Sequence, residues 1–301
     1  MNIVINLNKS SGITSHDAVT AVKKFFKVRK AGHAGTLDPV ATGVLLVCLN
    51  EATKITGFLS QLDKEYIMTA KLGECTDTHD SEGRIIKRVS DFSVTEDEIK
   101  QVVQKFTGEI EQIPPMYSAM KVSGKPLYLF ARKGIEVERK PRKVTVKAID
   151  MVKFESPYLT LRISCSKGTY IRSLCRDIGD ALGVGAYITE LIRTKIGDFT
   201  IENSAEIDEL SRKTAAFYSI YSALKHLPEL KLEGANLKKA KNGNPVTIEQ
   251  KIGTPEERNV FPLEFSASGN LFVKLKDPDG RLFGIGRYAN DLIKIERLLH
   301  L

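Results

Sequence analysis

GHAGTLDPVATG, residues 32–43, places Asp38 in a turn crowded with glycine, threonine and proline, and the apolar run Val44–Leu49 follows it directly. That run predicts a buried strand, so the turn lies at the end of a core element that can hold a side chain rigidly. An Asp-Pro pair by itself is typical of a turn, because the carboxylate bonds the local backbone and proline fixes φ. Turn chemistry alone therefore favours a structural role for Asp38 over a catalytic one.

Composition indicates an ordinary globular chain with a basic surface. The 301 residues are 42% apolar, which is enough for a large core and favours two domains. Lys and Arg exceed Asp and Glu by 45 to 37, for a net charge of +8. Nine basic residues lie between Lys121 and Lys147, against two acidic ones. This stretch is either a phosphate-facing surface or a solvated face, and composition does not decide between them.

Several function classes are disfavoured by residue spacing. The four cysteines form no Cys-x-x-Cys pair and follow no signal peptide, so we expect reduced thiols in a cytoplasmic protein. The five histidines lack ligand spacing, and we predict no metal site. Because no apolar run reaches the roughly 20 residues needed to cross a bilayer, we also expect no membrane-spanning role.

Hydrophobic periodicity predicts both strands and helices. One helix is expected to begin with Ser15 as its N-cap, and another at the capping box Thr95–Glu98. A basic insertion over Met116–Pro141 carries a short helix, and beyond about residue 228 short strands between turns predict a β-rich domain. The expected strands cover 2–7, 44–49, 64–72, 144–154, 158–166, 260–265, 271–275 and 281–285, and the expected helices cover 15–26, 51–62, 95–106 and 125–133, with a further one ending at Leu182. The strands at 144–154 and 158–166 are close enough in sequence to pair as a hairpin.

Five later residues bear on Asp38, because they lie on a predicted strand, at a helix opening or after a strand-like stretch. Taken singly, core packing or surface exposure explains each of them. Together with Asp38 they nevertheless provide a carboxylate, an arginine that can pair with it and two aromatic rings, which suit the binding and attack of an extruded nucleobase. The five are Lys64, Tyr66, Tyr170, Arg172 and Leu191, with Arg193 beside Leu191.

Over most of its length the chain resembles the bacterial tRNA pseudouridine-55 synthases. Six blocks carry the resemblance in the same order, and the first and last are the most specific. Residues 237–243 and 284–287 also resemble a PUA-type RNA-binding domain. The six blocks are GHAGTLDPVATGVL (32–45), EATK (51–54), KEY (64–66), TDT (76–78) with Asp80, PPMYSAMK (114–121) and CSKGTYIR (165–172).

The resemblance implies an α+β fold with a mixed, mainly antiparallel sheet flanked by helices. It implies a catalytic domain over residues 1–228, with a thumb-like insertion at about 112–146, and a PUA-type domain over 229–301. The implied reaction isomerises uridine 55 in the tRNA T-loop: the glycosidic C–N bond breaks, the base rotates and a C–C bond forms. No metal, organic cofactor or obligatory protein partner is implied, and a monomer is expected.

Roles for single residues also follow from the resemblance. Asp38 would be the essential nucleophile or base, and Arg172 would pair with its carboxylate and favour the ionised form. Tyr66 would stack on the flipped uracil, near the atom that loses a proton, and His33 would enter the T-loop and help displace the base. Further substrate contacts are implied for Tyr170, Leu191, Lys54 and Lys64.

Two alternatives remain open. The guide-dependent rRNA pseudouridine synthases of archaea and eukaryotes share the catalytic motif, and an RNA-binding or tRNA-folding module could retain the fold with catalysis incidental or lost. The set Asp38, Tyr66 and Arg172 argues against loss, because a carboxylate that faces phosphates costs a pure RNA binder affinity. The chain departs from the family at Asn8-Lys9-Ser10, where Asp-Lys-Pro is usual, and at Tyr187 and Ile192.

Overall fold

The computed structural model describes residues 1–118, 120–122, 124–248 and 271–301. The strands are β1 (Ile3–Lys9), β2 (Ala31–His33), β3 (Thr42–Leu49), β4 (Lys64–Leu72), β5 (Glu74–Thr76), β6 (Ile85–Arg88), β7 (Gly108–Gln112), β8 (Lys121–Val122), β9 (Lys125–Pro126), β10 (Arg142–Glu155), β11 (Tyr158–Cys165), β12 (Ala186–Ile196), β13 (Phe199–Thr200), β14 (Phe217–Ser219), β15 (Glu229–Lys231), β16 (Val246–Thr247), β17 (Leu271–Lys276), β18 (Leu282–Ala289) and β19 (Leu292–Leu298). The α-helices are α1 (Ser15–Phe25), α2 (Thr56–Leu59), α3 (Glu96–Lys105), α4 (Leu127–Ala131), α5 (Ile171–Ala181), α6 (Ile220–Ala223) and α7 (Gly234–Lys241).

One large sheet organises the first 220 residues. Its strand order is β14-β1-β3-β12-β4-β11-β10-β7, with β2 also on β3 and β13 also on β12. The pair β3 and β12 is parallel, and the other pairs are antiparallel. The predicted mixed, mainly antiparallel sheet is therefore confirmed.

β3 lies in the middle of this sheet and is apolar on both faces. Leu45, Val47 and Leu49 belong to the core beneath α1 and α5. Val44 and Leu46 point the other way, into a second core. A strand buried on both faces is expected to read as a continuous apolar run, as this one does.

The second core is shared with the carboxy-terminal sheet, whose strand order is β15-β17-β18-β19-β16. Leu282, Ile285 and Leu299 of that sheet region pack in the same cluster as Leu46 and Leu59. The β-rich domain is thus joined to the large sheet by apolar contacts as well as by the chain. The strand expected at 260–265 lies outside the described residues.

Helix α1 corrects one prediction. Its N-cap is Thr14, which accepts a 3.1 Å bond from the Asp17 backbone N–H, while Asp17 accepts from the backbone N–H of Thr14. Ser15 is buried instead, and its hydroxyl both donates to and accepts from the backbone of Leu37, at 3.0 and 2.8 Å. The predicted capping role of Ser15 is wrong because this side chain ties α1 to the Asp38 loop.

Two other helices differ from their predicted bounds. Residues 51–62 form a 3₁₀ turn over Asn50–Ile55 and then the single turn of α2, because the Thr53 and Thr56 hydroxyls donate to carbonyls three residues back. The insertion helix α4 begins after Pro126, since a residue that precedes proline is disfavoured in the α region. The capping box over Thr95–Glu98 and the hairpin of β10 and β11 are confirmed.

Candidate active site

A backbone hydrogen bond closes the Asp38 turn, and Lys9 at the end of β1 holds it in place. The Ala41 backbone N–H donates to the Asp38 carbonyl at 3.1 Å. Lys9 is 1% exposed, and its Nζ donates to the carbonyls of Pro39 (3.2 Å), Ser10 (2.9 Å) and Ile13 (2.9 Å). Burial lowers the pKa of Lys9 to about 8. The last residue of β1 therefore holds the residue that follows Asp38.

Arg193 on β12 clamps the other side of the turn. Its guanidinium donates to the carbonyls of Val44 (2.7 Å), Thr36 (3.2 Å) and Gly35 (3.0 Å), and the residue is 1% exposed. At Gly43, where φ is +99°, a Cβ would lie 2.3 Å from the Arg193 carbonyl oxygen. Only glycine fits this approach, because both the positive φ and the close backbone exclude a side chain.

Arg172 pairs with Asp38 in a bidentate geometry. Nε of Arg172 donates to Oδ2 of Asp38 at 2.8 Å, and Nη2 donates to Oδ1 at 3.0 Å. The Arg172 side chain is 6% exposed and that of Asp38 is 35% exposed. Paired N–H···O bonds of this kind fix the plane of the carboxylate as well as its position.

The same guanidinium is held by three further groups. Nη1 donates to the carbonyl of Thr78 at 3.2 Å and lies 3.5 Å from Oδ2 of Asp80, whose side chain is 5% exposed. Nη2 also donates to the carbonyl of Tyr117 at 2.6 Å. Arg172 is thus shared by two carboxylates and by the root of the basic insertion. Asp80 belongs to a motif block but had no predicted role, because its approach to Arg172 is visible only in three dimensions.

Two cavities meet at Asp38. The first has a volume of about 260 Å³ and the second about 550 Å³, and both are lined by Asp38, Ser118 and Arg172. The first cavity is bounded by Tyr66, Tyr170, Leu191 and Lys64, together with Arg193. The second lies between the α1 end and the insertion, and its walls include His16, His33, Glu82, Tyr128 and Arg132. The carboxylate therefore stands at the boundary between a smaller and a larger cavity.

Burial controls the charges in the first cavity. It raises the pKa of the Tyr66 phenol, so this side chain remains neutral at physiological pH. It lowers the pKa of Lys64 to about 8, and the nearby Arg193 charge acts in the same direction. In the second cavity, burial lowers the pKa of His33, whose Nδ1 has no hydrogen-bond partner among the described residues.

The structure brings most of the predicted site residues together. Tyr66, Tyr170, Leu191 and Lys64 line the first cavity with Asp38 and Arg172, and His33 lines the second. Leu191 lies within β12 rather than after a strand. Lys54 lines neither cavity, because its Nζ is bonded to the Leu298 carbonyl and to Glu51, each at 2.8 Å. It joins the large sheet to the carboxy-terminal sheet.

Two residues of the site, Lys9 and Asp80, were assigned no role from the sequence, and Arg193 was named beside Leu191 without a role of its own. For Arg193 a signal existed, since it is a lone arginine at an inward position of an alternating strand pattern. Within the described ranges, no three His, Cys, Asp or Glu side chains are grouped as metal ligands. None of the helices in the same ranges has the length and apolarity to span a bilayer.

A fixed carboxylate at the mouth of a cavity lined by tyrosine rings is the arrangement of an enzyme that acts on an extruded base. Residues 23–171 match the TruB family pseudouridylate synthase N-terminal domain, and residues 172–226 match the tRNA pseudouridylate synthase B C-terminal domain. The chain therefore belongs to the TruB family and is a pseudouridine synthase.

Individual relatives agree with the family assignment. The tRNA pseudouridine synthase B of Clostridium tetani is 41% identical over 301 residues, covering 99% of this chain and 100% of the relative. That of Caldanaerobacter subterraneus subsp. tengcongensis is 40% identical and covers 98% of both chains. Among solved structures, a chain of a Cbf5-Nop10-Gar1 complex is 27% identical with a TM-score of 0.71, covering 98% of this chain and 84% of that one.

Proposed function

We propose that this protein converts uridine 55 in the T-loop of tRNA to pseudouridine, as a monomer in the cytoplasm and without a guide RNA or partner protein. Relatives named tRNA pseudouridine synthase B are 41% and 40% identical, whereas the chain from the Cbf5-Nop10-Gar1 complex is 27% identical. These identities favour the tRNA enzyme over an enzyme that works within a multi-protein complex.

The observation that carries the mechanism is the bidentate Arg172–Asp38 pair at the boundary of the two cavities. A uracil that enters the first cavity meets the Tyr66 ring and the walls formed by Tyr170 and Leu191. Extrusion of the base costs a few kcal/mol, and stacking on an aromatic side chain returns about 1–3 kcal/mol per base. The sugar then stands beside Asp38, which attacks it or removes a proton from it.

Arg172 has a positioning role in this mechanism. Its N–H groups are directed to Asp38, Asp80 and the carbonyls of Thr78 and Tyr117, so the carboxylate has one fixed orientation. A carboxylate preorganised in this way needs no reorganisation when the glycosidic bond breaks. The neutral Tyr66 stands against the base, near the ring carbon that must lose a proton.

We assign residues 1–228 to catalysis, 229–301 to a PUA-type RNA-binding domain and about 112–146 to a thumb that contacts RNA phosphates. In support, the insertion leaves the large sheet after β7 and re-enters it at β10, and Arg132 and Tyr128 face the second cavity. We also assign His33 to displacement of the base, since it lines the same cavity. Lys54 and Lys64 stay predicted RNA contacts.

The function is tested with a bare T-arm hairpin that carries 5-tritiated uridine at the target, because only substitution at C5 releases the label. Wild type should release tritium with no other RNA or protein present. Asp38→Asn should release none while its Kd for the hairpin stays within about threefold. Asp198→Asn is the matched control, since Asp198 pairs with Lys225 at 3.4 Å on an exposed surface away from both cavities. Product formation by Asp38→Asn near the wild-type rate would overturn the proposal.

A further inference from the structure

Ser118, at the root of the basic insertion, has a hydroxyl that is buried and has no partner among the described residues. The residue is 6% exposed, and its Oγ makes no hydrogen bond within the part of the chain that the structure describes. Its backbone is occupied: the N–H donates to the Met116 carbonyl at 3.0 Å, and its carbonyl accepts from the Tyr128 N–H at 3.1 Å. Buried hydroxyls are normally bonded, so an orphan points to a partner that arrives with a ligand.

The position of Ser118 indicates which group of a bound ligand its hydroxyl can reach. Ser118, Asp38 and Arg172 each line both cavities, so all three stand at their common boundary. The preceding residue is fixed there as well, because the Tyr117 carbonyl accepts the 2.6 Å bond from Arg172. The backbone that carries this hydroxyl is therefore tied to the same network as the reacting carboxylate.

The boundary is where the ribose of the target nucleotide must lie. If the base fills the first cavity and the strand leaves through the second, the sugar occupies the junction, which Asp38 must also reach. The ribose carries a 2′-hydroxyl, which donates and accepts hydrogen bonds and distinguishes RNA from DNA. A serine hydroxyl has the same capacity and complements either arrangement.

We propose that the Ser118 hydroxyl bonds the 2′-hydroxyl of the extruded nucleotide, and that Ser118 is a residue by which this enzyme selects RNA over DNA. The inference rests on the proposed extrusion of the base into the first cavity. Two other hydroxyls of the first cavity already donate within the protein: Ser60 donates to the Gly57 carbonyl at 2.8 Å, and Thr169 donates to the Ser166 carbonyl at 3.0 Å.

The test measures binding, so that it does not depend on the chemical step. Two T-arm hairpins carry pseudouridine or 2′-deoxypseudouridine at the target, and neither can react further. Loss of one net hydrogen bond should weaken the binding of wild type to the deoxy hairpin by about 3- to 10-fold. Ser118→Ala should bind both hairpins equally, at the weaker affinity. Ser60→Ala, which removes a satisfied hydroxyl from the same cavity, should keep the wild-type ratio.

A second measurement separates a ligand contact from a hidden structural contact. Because the Ser118 hydroxyl has no partner in the described ranges of the free protein, Ser118→Ala should leave the Tm unchanged or raise it. A lowered Tm, or the same ribo-to-deoxy ratio in wild type and Ser118→Ala, would overturn the proposal. If wild type released tritium from the uridine hairpin while these ratios were equal, the proposed function would stand and only the role of Ser118 would fall.

Discussion

Replacement of Arg172 by methionine should destabilise the protein chiefly through Asp80. The change removes the guanidinium that lies 2.8 Å from Asp38 and 3.5 Å from Asp80. The Asp38 side chain is 35% exposed and can be solvated, whereas that of Asp80 is 5% exposed and loses its partner charge in a buried site. Removing one partner of a buried pair costs about 3–5 kcal/mol, a large part of the roughly 5–15 kcal/mol that stabilises a typical domain.

A double variant isolates that cause. In wild type, Oδ1 of Asp80 accepts hydrogen bonds from the Thr78 hydroxyl and the Glu82 N–H. Asp80→Asn removes the charge but keeps an oxygen that can accept both bonds. In the Asp80→Asn background, Arg172→Met should therefore cost about 1–3 kcal/mol less than in wild type, the range expected for coupled neighbours. Arg176→Met is the control, because Arg176 pairs with Asp177 where both side chains are about a quarter exposed.

Urea unfolding followed by far-UV circular dichroism gives these free energies, with an unchanged m-value as the check on two-state behaviour. Tritium release from the T-arm hairpin gives the parallel effect on catalysis, which should fall strongly in both variants that lack Arg172. Strictly additive unfolding free energies for Arg172→Met and Asp80→Asn would refute the reasoning. A loss of stability below about 1 kcal/mol for Arg172→Met would also refute it, because a buried unpaired charge costs far more.

Two further predictions concern RNA binding. Burial holds the pKa of Lys64 at about 8, so its positive charge is present at pH 7 and largely lost at pH 9. The Kd for the hairpin should therefore rise between pH 7 and pH 9 in wild type and rise less in Lys64→Met. Equal pH profiles for the two proteins would exclude Lys64 as an RNA contact. Neutralising four basic side chains of the thumb region should weaken binding and flatten its dependence on salt, by at most about 0.9 in log–log slope for each phosphate that the protein no longer neutralises. An unchanged slope would show that these four side chains do not contact phosphates. The four are Arg132, Lys133, Arg142 and Lys143.

Local sequence rules determined much of the framework. The apolar run of β3 predicted a buried strand, and the strand predicted over 64–72 coincides with β4. The capping box at Thr95 and the hairpin of β10 and β11 also followed from spacing of a few residues. The motif around Asp38 and its resemblance to a known family indicated the catalytic carboxylate before any geometry was available.

The resemblance named Arg172 as the partner of that carboxylate, but only the tertiary structure decided the geometry of the pair and the other groups around it. Arg172 meets Asp38 across 134 residues of sequence, and Arg193 reaches the Val44 carbonyl across 149. The charge of Asp80 on Arg172 and the unpaired hydroxyl of Ser118 depend on the same convergence of distant segments. Periodicity and capping describe contacts within about four residues, whereas these contacts form when separate strands and loops meet in one sheet. The sequence therefore named the reacting group and several of its neighbours, and the fold alone supplied the network of contacts that holds them.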